Sequence, residues 1–147
     1  MHEQWIELAE EVSLNSLCPT VKIGCVLVKD GEVIAEGWNR IPKGVEETEA
    51  RHTTFNESRF WVEHAERIVI FEAARKGICT AGATAYVNVT PSSVCTLCVR
   101  GLVEAGIVCI VGNTKIINTR AKTKTHNVVN QKMIEESGIE TIIIDTQ

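Results

Sequence analysis

The sequence has 147 residues, of which 44% are hydrophobic and 23% charged, and a formal net charge of −4. This composition excludes a disordered chain, and the length suits one domain that buries its own core. No segment reaches the roughly 20 apolar residues that a membrane-spanning helix requires. We therefore predict a single globular domain over residues 1–147 that does not associate with a membrane.

The first predicted elements are a helix and a β-hairpin. Near the N-terminus, apolar residues recur with the period of an amphipathic helix: Trp5, Leu8, Ala9 and Val12. Because this segment lacks the basic and apolar regions of a signal peptide, we expect a cytoplasmic location. Residues 21–28 and 33–38 are predicted strands, because both runs are apolar and the Asp30-Gly31 pair between them favours a tight antiparallel turn.

The chain continues with an irregular stretch and then alternates helices with strands. Residues from Asn39 to about Arg59 show no clean period, and so long a connection in a compact domain is often functional. The segments that follow are predicted helices over about His64–Lys76, Cys95–Ala105 and Asn127–Glu136, and strands over residues 84–89, 107–111 and 141–145. Consecutive βαβ units imply parallel strands. We predict an α/β fold, a three-layer α/β/α sandwich whose mixed five-stranded sheet carries helices on both faces.

The six cysteines are not expected to form disulfides, because the chain shows no secretion signal. Four of them occur singly and are interpreted as small buried apolar residues: Cys18, Cys25, Cys79 and Cys109. Cys95 and Cys98 differ, because they form a C-x-x-C at the start of a predicted helix.

This C-x-x-C and His64 indicate a zinc site. His64 begins one predicted helix and Cys95 the next, with one strand between them, so consecutive crossovers can bring both helix N-termini to one edge of the sheet. One imidazole and two thiolates are good zinc ligands, and three protein ligands leave a position for water, which is typical of a catalytic site. Glu66 would not bind the metal but could carry protons beside it.

Each of these residues also has a simpler interpretation. An acidic first turn with a single histidine is common at solvent-exposed helix starts. A structural zinc site would need a fourth ligand, for which Cys79, His52 and His126 are available in the sequence. A C-x-x-C alone could be a redox pair. A structural site has no use for Glu66, and a redox pair needs no H-x-E on the preceding helix, so a catalytic zinc site is favoured.

The H-A-E of one helix and the C-x-x-C of the next resemble the zinc-dependent cytidine and deoxycytidylate deaminase superfamily. Three segments are similar to its deoxycytidylate deaminase branch: GWNRIPKGVEETEAR, VEHAERIVIFEAARKG and CTLCVRGLVEAGI. The resemblance covers most of the chain and implies a cytidine deaminase-like fold. It also implies a homo-oligomer, either a dimer or a hexamer.

Residue by residue, the resemblance implies that the zinc ligands are His64, Cys95 and Cys98. It implies that Glu66 is the proton shuttle, that Asn39 contacts the nucleotide and that the backbone at Ala65 faces the pyrimidine. The implied reaction is hydrolytic deamination of a cytosine mononucleotide, with dCMP to dUMP and ammonia as the leading expectation.

Three positions depart from the branch pattern. Ile68 stands where an asparagine is usual, Pro91 lies four positions before Cys95 rather than next to it, and Arg40 replaces a glycine. Because none is an implied ligand or the shuttle, we expect deamination to be retained and the rim of the pocket to change. In the long loop, Lys43, Arg40 or Arg59 could contact a phosphate, although a solvated loop charge is the more common explanation for each one taken singly.

Other substrates stay open at this point. They are another free base, nucleoside or nucleotide, or the adenosine of a tRNA; a zinc-stabilised module without catalysis is a further alternative. The acidic net charge disfavours a nucleic-acid partner, and the nearest basic segment, around Arg120 and Lys122, is interrupted by other residues.

Overall fold

The computed structural model describes residues 1–116 and 124–145, and within them five strands form one mixed sheet. In the sheet order β2-β1-β3-β4-β5, they are β1 (Gly24–Lys29), β2 (Glu32–Trp38), β3 (Thr84–Val87), β4 (Cys109–Gly112) and β5 (Glu140–Ile143). β1 is antiparallel to both β2 and β3, whereas β4 is parallel to β3 and to β5. The mixed five-stranded sheet predicted from the sequence is confirmed.

Helices cover both faces of this sheet. They are α1 (Glu3–Ser13), α2 (Glu49–Thr53), α3 (Phe55–Trp61), α4 (Ala65–Arg75), α5 (Thr96–Glu104) and α6 (Lys124–Ser137), with a short 3-10 helix at Pro91–Ser93. On one face, Ile6 of α1 packs in a core cluster with Val26 of β1. On the other face, Val69 of α4, Leu102 of α5 and Ile134 of α6 belong to a second cluster. The three-layer α/β/α arrangement is therefore also confirmed.

The first two strands are joined by the predicted tight turn. Asp30 has a φ of 52° and Gly31 a φ of 76°. A two-residue hairpin of type I′ needs a positive φ at both central positions, and Asp-Gly is one of the pairs that adopt it. This turn sets the register in which β2 pairs with β1. It therefore also determines the position at which β2 ends and the long stretch from Asn39 begins.

Two interpretations of the sequence are wrong. The stretch from Asn39 to Arg59 is not irregular throughout, because it contains α2 and the start of α3. These helices have 5 and 7 residues, too few to show a period, and the first is capped by the Thr48 hydroxyl, which accepts a hydrogen bond from the Arg51 N–H. Cys79 is exposed rather than buried, because it lies in the loop between α4 and β3.

Two further predictions concern partners. None of the helices in the described ranges combines the length and the apolar character needed to cross a bilayer. The basic residues Arg120 and Lys122 lie outside the described residues.

Candidate metal centre and catalytic cavity

The sheet topology brings the starts of α4 and α5 together. Because β2 and β3 are both antiparallel to β1, they run in the same direction and their carboxyl ends lie at one edge of the sheet. α4 follows β2 through the long loop, α5 follows β3, and both helices pack on the same face. His64 and Cys95 are the N-cap residues of α4 and α5. Each side chain therefore lies at the point where the connecting segment passes into the first helical turn.

Three side chains at this edge are close enough to bind one metal ion. The ligand atoms of His64, Cys95 and Cys98 all lie within 4.8 Å of one another, and Cys98 Sγ is 3.3 Å from His64 Nδ1. No other Cys, His, Asp or Glu joins this group among the residues that the structure describes. One imidazole nitrogen and two sulfurs are the donor set of a catalytic zinc site, so the residues fit zinc.

Mutual hydrogen bonding shifts the protonation of the three side chains. The pKa of the Cys95 thiol is lowered, because Cys98 and His64 both hydrogen-bond to its sulfur. The hydrogen bond between His64 and Cys95 raises the pKa of His64. The hydrogen bond between Cys98 and Cys95, together with burial, raises the pKa of the Cys98 thiol. Negative charge is therefore concentrated on Cys95, at the N-terminus of α5, where the helix dipole also favours a thiolate.

Glu66 lies on the first turn of α4 and is almost completely buried, with 5% of its surface exposed. Burial raises the pKa of its carboxyl group, because desolvation disfavours the charged form, and nearby His64 partly opposes this shift. A carboxyl group with a raised pKa can exchange protons closer to neutral pH than an exposed one.

Glu66 borders a cavity of about 510 Å³. His64 and Cys95 also line it; with Cys98 they form the set of candidate ligands that we call the metal group. Its size is in the range of small-molecule sites in proteins. His64, Ala65 and Glu66 form one part of the wall, and the segment before β1 forms another. Further polar side chains in the wall are Thr20, Asn39, His52, Ser58, Arg59 and His126.

Asn39 and Ala65, which the sequence analysis assigned to the substrate, both line this cavity. The Asn39 side chain is anchored at both ends, since Oδ1 accepts a hydrogen bond from the Ile23 N–H and Nδ2 donates one to the Val21 carbonyl, each at 2.9 Å. These bonds hold the segment before β1 in the cavity wall.

Lys43 and Arg40 lie in a different place. They line a separate hollow of about 330 Å³, where Lys43 Nζ is 3.9 Å and Arg40 Nη2 3.5 Å from Glu72 Oε1. Arg59, the third candidate phosphate contact, does line the main cavity. The structure thus brings Arg59, but not Lys43 or Arg40, to the proposed metal and shuttle.

Ile68 is not part of the cavity rim that it was expected to alter. It is buried against β2, where a Cβ atom added to Gly37 would lie 2.7 Å from Ile68 Cγ2. Position 68 is on the sheet-facing side of α4, so its effect is on packing.

The sequence analysis missed His52 as a wall residue and considered it only as a fourth zinc ligand. It lies on α2, within the long stretch from Asn39 to Arg59. The length of that stretch indicated a functional loop. The sequence around a single histidine outside any motif does not predict the direction of its side chain.

Comparison with known proteins agrees with this geometry. The family model described as the cytidine and deoxycytidylate deaminase zinc-binding region matches residues 1–114. ComE operon protein 2 of Bacillus subtilis is 29% identical over 129 residues, which are 87% of this chain and 62% of that protein. The riboflavin biosynthesis protein RibD of Haemophilus influenzae is 30% identical over 128 residues, 85% of this chain and 27% of that protein. The chain thus spans less than two thirds of either relative.

A solved structure has a similar fold. The dCMP deaminase of cyanophage S-TIM5, in complex with dCMP and dUMP, superposes with a TM-score of 0.74 over 97% of this chain and 96% of that one, at 23% identity. At this identity the similarity shows the fold, which confirms the cytidine deaminase-like architecture. Since the family model matches 114 of the 147 residues and the donor set fits zinc, the chain belongs to the cytidine and deoxycytidylate deaminase family of zinc-dependent hydrolytic deaminases.

Proposed function

We propose that this protein deaminates a cytosine mononucleotide, converting dCMP and water to dUMP and ammonia. The observation that carries the proposal is a cavity whose wall contains buried Glu66 together with His64 and Cys95, two of the three side chains of the metal group. The similar fold of a dCMP deaminase that was crystallised with dCMP and dUMP supports a nucleotide substrate.

The three clustered side chains would hold the zinc ion: His64, Cys95 and Cys98. When bound, zinc is a Lewis acid that lowers the pKa of water to about 7. The start of α5 would keep both sulfurs in place for the ion, because Cys95 caps the helix and Cys98 is in its first turn.

Glu66 would move the protons of the reaction. Hydrolysis at C4 adds the oxygen of water to the ring and releases the amino group, so one proton of the water ends on N3 and the other on ammonia. A carboxylate can take a proton from water and, once protonated, deliver it to nitrogen. Glu66 lies at the cavity wall and is shielded from bulk solvent, so the same group can serve each transfer.

Asn39 and Ala65 would orient the nucleotide. The Nδ2 group of Asn39 carries two hydrogens, of which the Val21 carbonyl takes one, and the second is the donor that would contact the substrate. The backbone at Ala65 adjoins Glu66 and would face the pyrimidine ring.

Arg59 is the side chain that we assign to the phosphate. It lies in the cavity wall, on α3, and its guanidinium group is 4.8 Å from the centre of the Phe60 ring. A guanidinium group binds phosphate through charge-assisted hydrogen bonds. Lys43, by contrast, is separated from this cavity and lies near Glu72.

The test compares kcat/KM for dCMP and for deoxycytidine, measured as ammonia release. One charge-assisted phosphate contact should give dCMP an advantage of roughly tenfold or more. Arg59→Ala should reduce this advantage and leave deoxycytidine unaffected, whereas Lys43→Ala, the matched control, should change neither value. Equal kcat/KM values for the two substrates in the wild type would contradict the mononucleotide assignment. Absence of ammonia release from a panel of bases, nucleosides and nucleotides would contradict deamination.

A second candidate substrate follows from the similarity to RibD. That protein matches at 30% identity, and a Thermotoga maritima structure 28% identical to this chain is a diaminohydroxyphosphoribosylaminopyrimidine deaminase joined to a reductase. The diaminohydroxyphosphoribosylaminopyrimidine in that name is also an aminopyrimidine with a sugar phosphate. The same residues of the cavity wall would therefore bind it. It belongs in the substrate panel, and preferential turnover of it would replace dCMP in the proposal.

A further inference from the structure

Asn130 of α6 is a buried polar side chain that contacts the segment leading to Cys95. Only 1% of the residue is exposed, and its Nδ2 donates a hydrogen bond to the Val94 carbonyl oxygen at 2.6 Å. A carbonyl oxygen only accepts hydrogen bonds, so the amide must present its nitrogen to Val94. At the other end, Oδ1 is buried and has no hydrogen-bond partner within the described residues.

A half-satisfied amide is an unfavourable side chain to bury, because its desolvation is only partly repaid. One turn further along α6, the buried position is taken by Ile134, which belongs to the apolar core cluster. What asparagine contributes at position 130 is the bond to Val94. Its role therefore depends on what the Val94 carbonyl controls.

The Val94 carbonyl controls the orientation of Cys95. A peptide unit is planar, so the carbonyl group of Val94 and the N and Cα atoms of Cys95 lie in one plane. A rotation of this unit would move the Cα atom of Cys95 and, with it, the sulfur atom that belongs to the metal group. Holding the carbonyl thus restrains the sulfur, which is only two bonds from Cα.

The chain before Val94 is already anchored to the rest of the fold. The short 3-10 helix Pro91–Ser93 is closed by a contact of 2.6 Å between the hydroxyl groups of Thr90 and Ser93. It also packs on β4, where a Cβ atom added to Gly112 would lie 2.9 Å from Pro91 Cδ. The bond from Asn130 acts on the last residue between this anchored turn and the first cysteine ligand.

The position of Pro91 makes this bond necessary. A proline directly before Cys95 would restrict the backbone there by its ring. Since Pro91 lies four positions earlier, that restriction is missing at Val94. The hydrogen bond from Asn130 supplies a restraint of a different kind at the same place.

His64 enters the metal group through a peptide unit that is also held by hydrogen bonds. The Glu63 carbonyl accepts one from the Arg40 N–H at 3.2 Å, and the His64 N–H donates one to Glu63 Oε1 at 3.1 Å. For Cys95 the corresponding bond comes from a separate helix that carries no ligand. Asn130 can therefore be substituted without changing either of the helices that begin at the metal group.

We propose that Asn130 is a positioning residue of the metal centre, which sets the place of Cys95 Sγ for zinc through the Val94 carbonyl. Residues that orient metal ligands typically contribute 10–100-fold to metal affinity. The inference rests on the zinc site of the proposed function but does not depend on which substrate is deaminated.

The experiment measures the zinc dissociation constant of the purified, zinc-loaded protein by competition with a chromophoric chelator. Asn130→Ala removes the amide, whereas Asn130→Asp keeps its shape and, when ionised, offers only acceptors to the Val94 carbonyl. Ile134→Val is the matched control, because it weakens the packing of the same buried face of α6 and retains the bond to Val94. Circular dichroism establishes that each variant is folded at the temperature of the measurement.

Both Asn130 variants should raise the zinc dissociation constant by about 10–100-fold, and Ile134→Val should leave it close to the wild-type value. With zinc at saturation, KM for dCMP should be the same in Asn130→Ala as in wild type, since Asn130 is not among the described residues of the cavity wall. A merely structural asparagine would lower the melting temperature, as Ile134→Val does, without a selective loss of zinc affinity.

The outcomes separate this inference from the proposed function. A wild-type dissociation constant in both Asn130 variants would overturn it, and so would an equal loss of affinity in Ile134→Val, because affinity would then follow overall stability. A wild-type protein that binds no zinc would refute the metal group and this inference together. Zinc binding without ammonia release would refute only deamination, and the dissociation constants would still decide on Asn130.

Discussion

Glu66 and Cys98 are both buried, but their substitutions are expected to have different effects. Glu66→Gln preserves size and polarity and removes only the exchangeable proton, so zinc content and fold should be retained. Turnover should fall by about 10⁴-fold, the upper end for general acid–base catalysis, because one group serves several transfers. Measurements of kcat and of zinc per chain test this, and a rate near that of wild type would exclude Glu66 as the shuttle.

Cys98→Ala provides the contrast. It removes a ligand and should lose both metal and activity, whereas Cys109→Ala, at a buried cysteine of the other core cluster, should keep its zinc. Full zinc content in Cys98→Ala would contradict the ligand assignment.

At the scale of single residues, what the sequence could predict depended on how local the signal was. His64, Glu66, Cys95 and Cys98 lie in two short motifs at helix starts, so the prediction that they meet needed only the βαβ topology. The direction of an isolated loop side chain depends on the path of the whole loop. For that reason Lys43 could not be separated from Arg59 before the structure was available.

At the scale of elements, the approach of α4 to β2 determines where Glu66 lies. Gly37→Ala would place a Cβ atom 2.7 Å from Ile68 Cγ2 and 3.3 Å from the Ala65 carbonyl oxygen, so α4 must shift. We expect the free energy of unfolding to fall by about 1–3 kcal/mol, as for other overpacked cores. Chemical denaturation measures this loss.

Gly101→Ala is the matched control. It lies within α5, and the atom nearest to its added Cβ is Ile70 Cδ1 at an ordinary 3.5 Å. Alanine is the better helix former by about 0.5–1 kcal/mol, so this variant should be at least as stable as wild type. If both alanine variants were equally stable, the close packing of α4 on Gly37 would be disproved.

The sequence predicted the long elements well, because their periods extend over enough residues to be recognised. The ends of α4 and α5 were predictable too, since Gly77 and Gly106, which have a positive φ, follow them closely. α2 and α3 were missed because a helix of 5 or 7 residues depends on caps and tertiary contacts rather than on a period.

At the scale of the whole molecule, one sheet is shared by both core clusters, so we predict one domain that unfolds in a single transition. Ile6→Ala, on α1, should lower the free energy of unfolding by about 2–5 kcal/mol. The guanidinium concentrations at the midpoints of the circular dichroism change and of zinc release should both fall by the same amount, although α1 lies on the face opposite α4 and α5. Exposed Leu14→Ala, at the end of the same helix, should change stability by less than about 0.5 kcal/mol. Separate transitions for the two signals would contradict a single domain.

Assembly and location stay predictions. The resemblance implies a dimer or hexamer, for which light scattering of the purified protein is the direct measurement.

The metal group joins two distant points of the chain. Cys95 follows His64 by 31 positions, and the segment between them includes the whole of α4 and β3. An ion held at both ends would close that segment into a ring, an arrangement that the unfolded chain reaches only at a cost in entropy. By linkage, each tenfold rise in free zinc above its dissociation constant should then add about 1.4 kcal/mol to the free energy of unfolding. The same ion would therefore act as a reversible cross-link, and the resistance of the protein to heat would depend on the zinc supply around it.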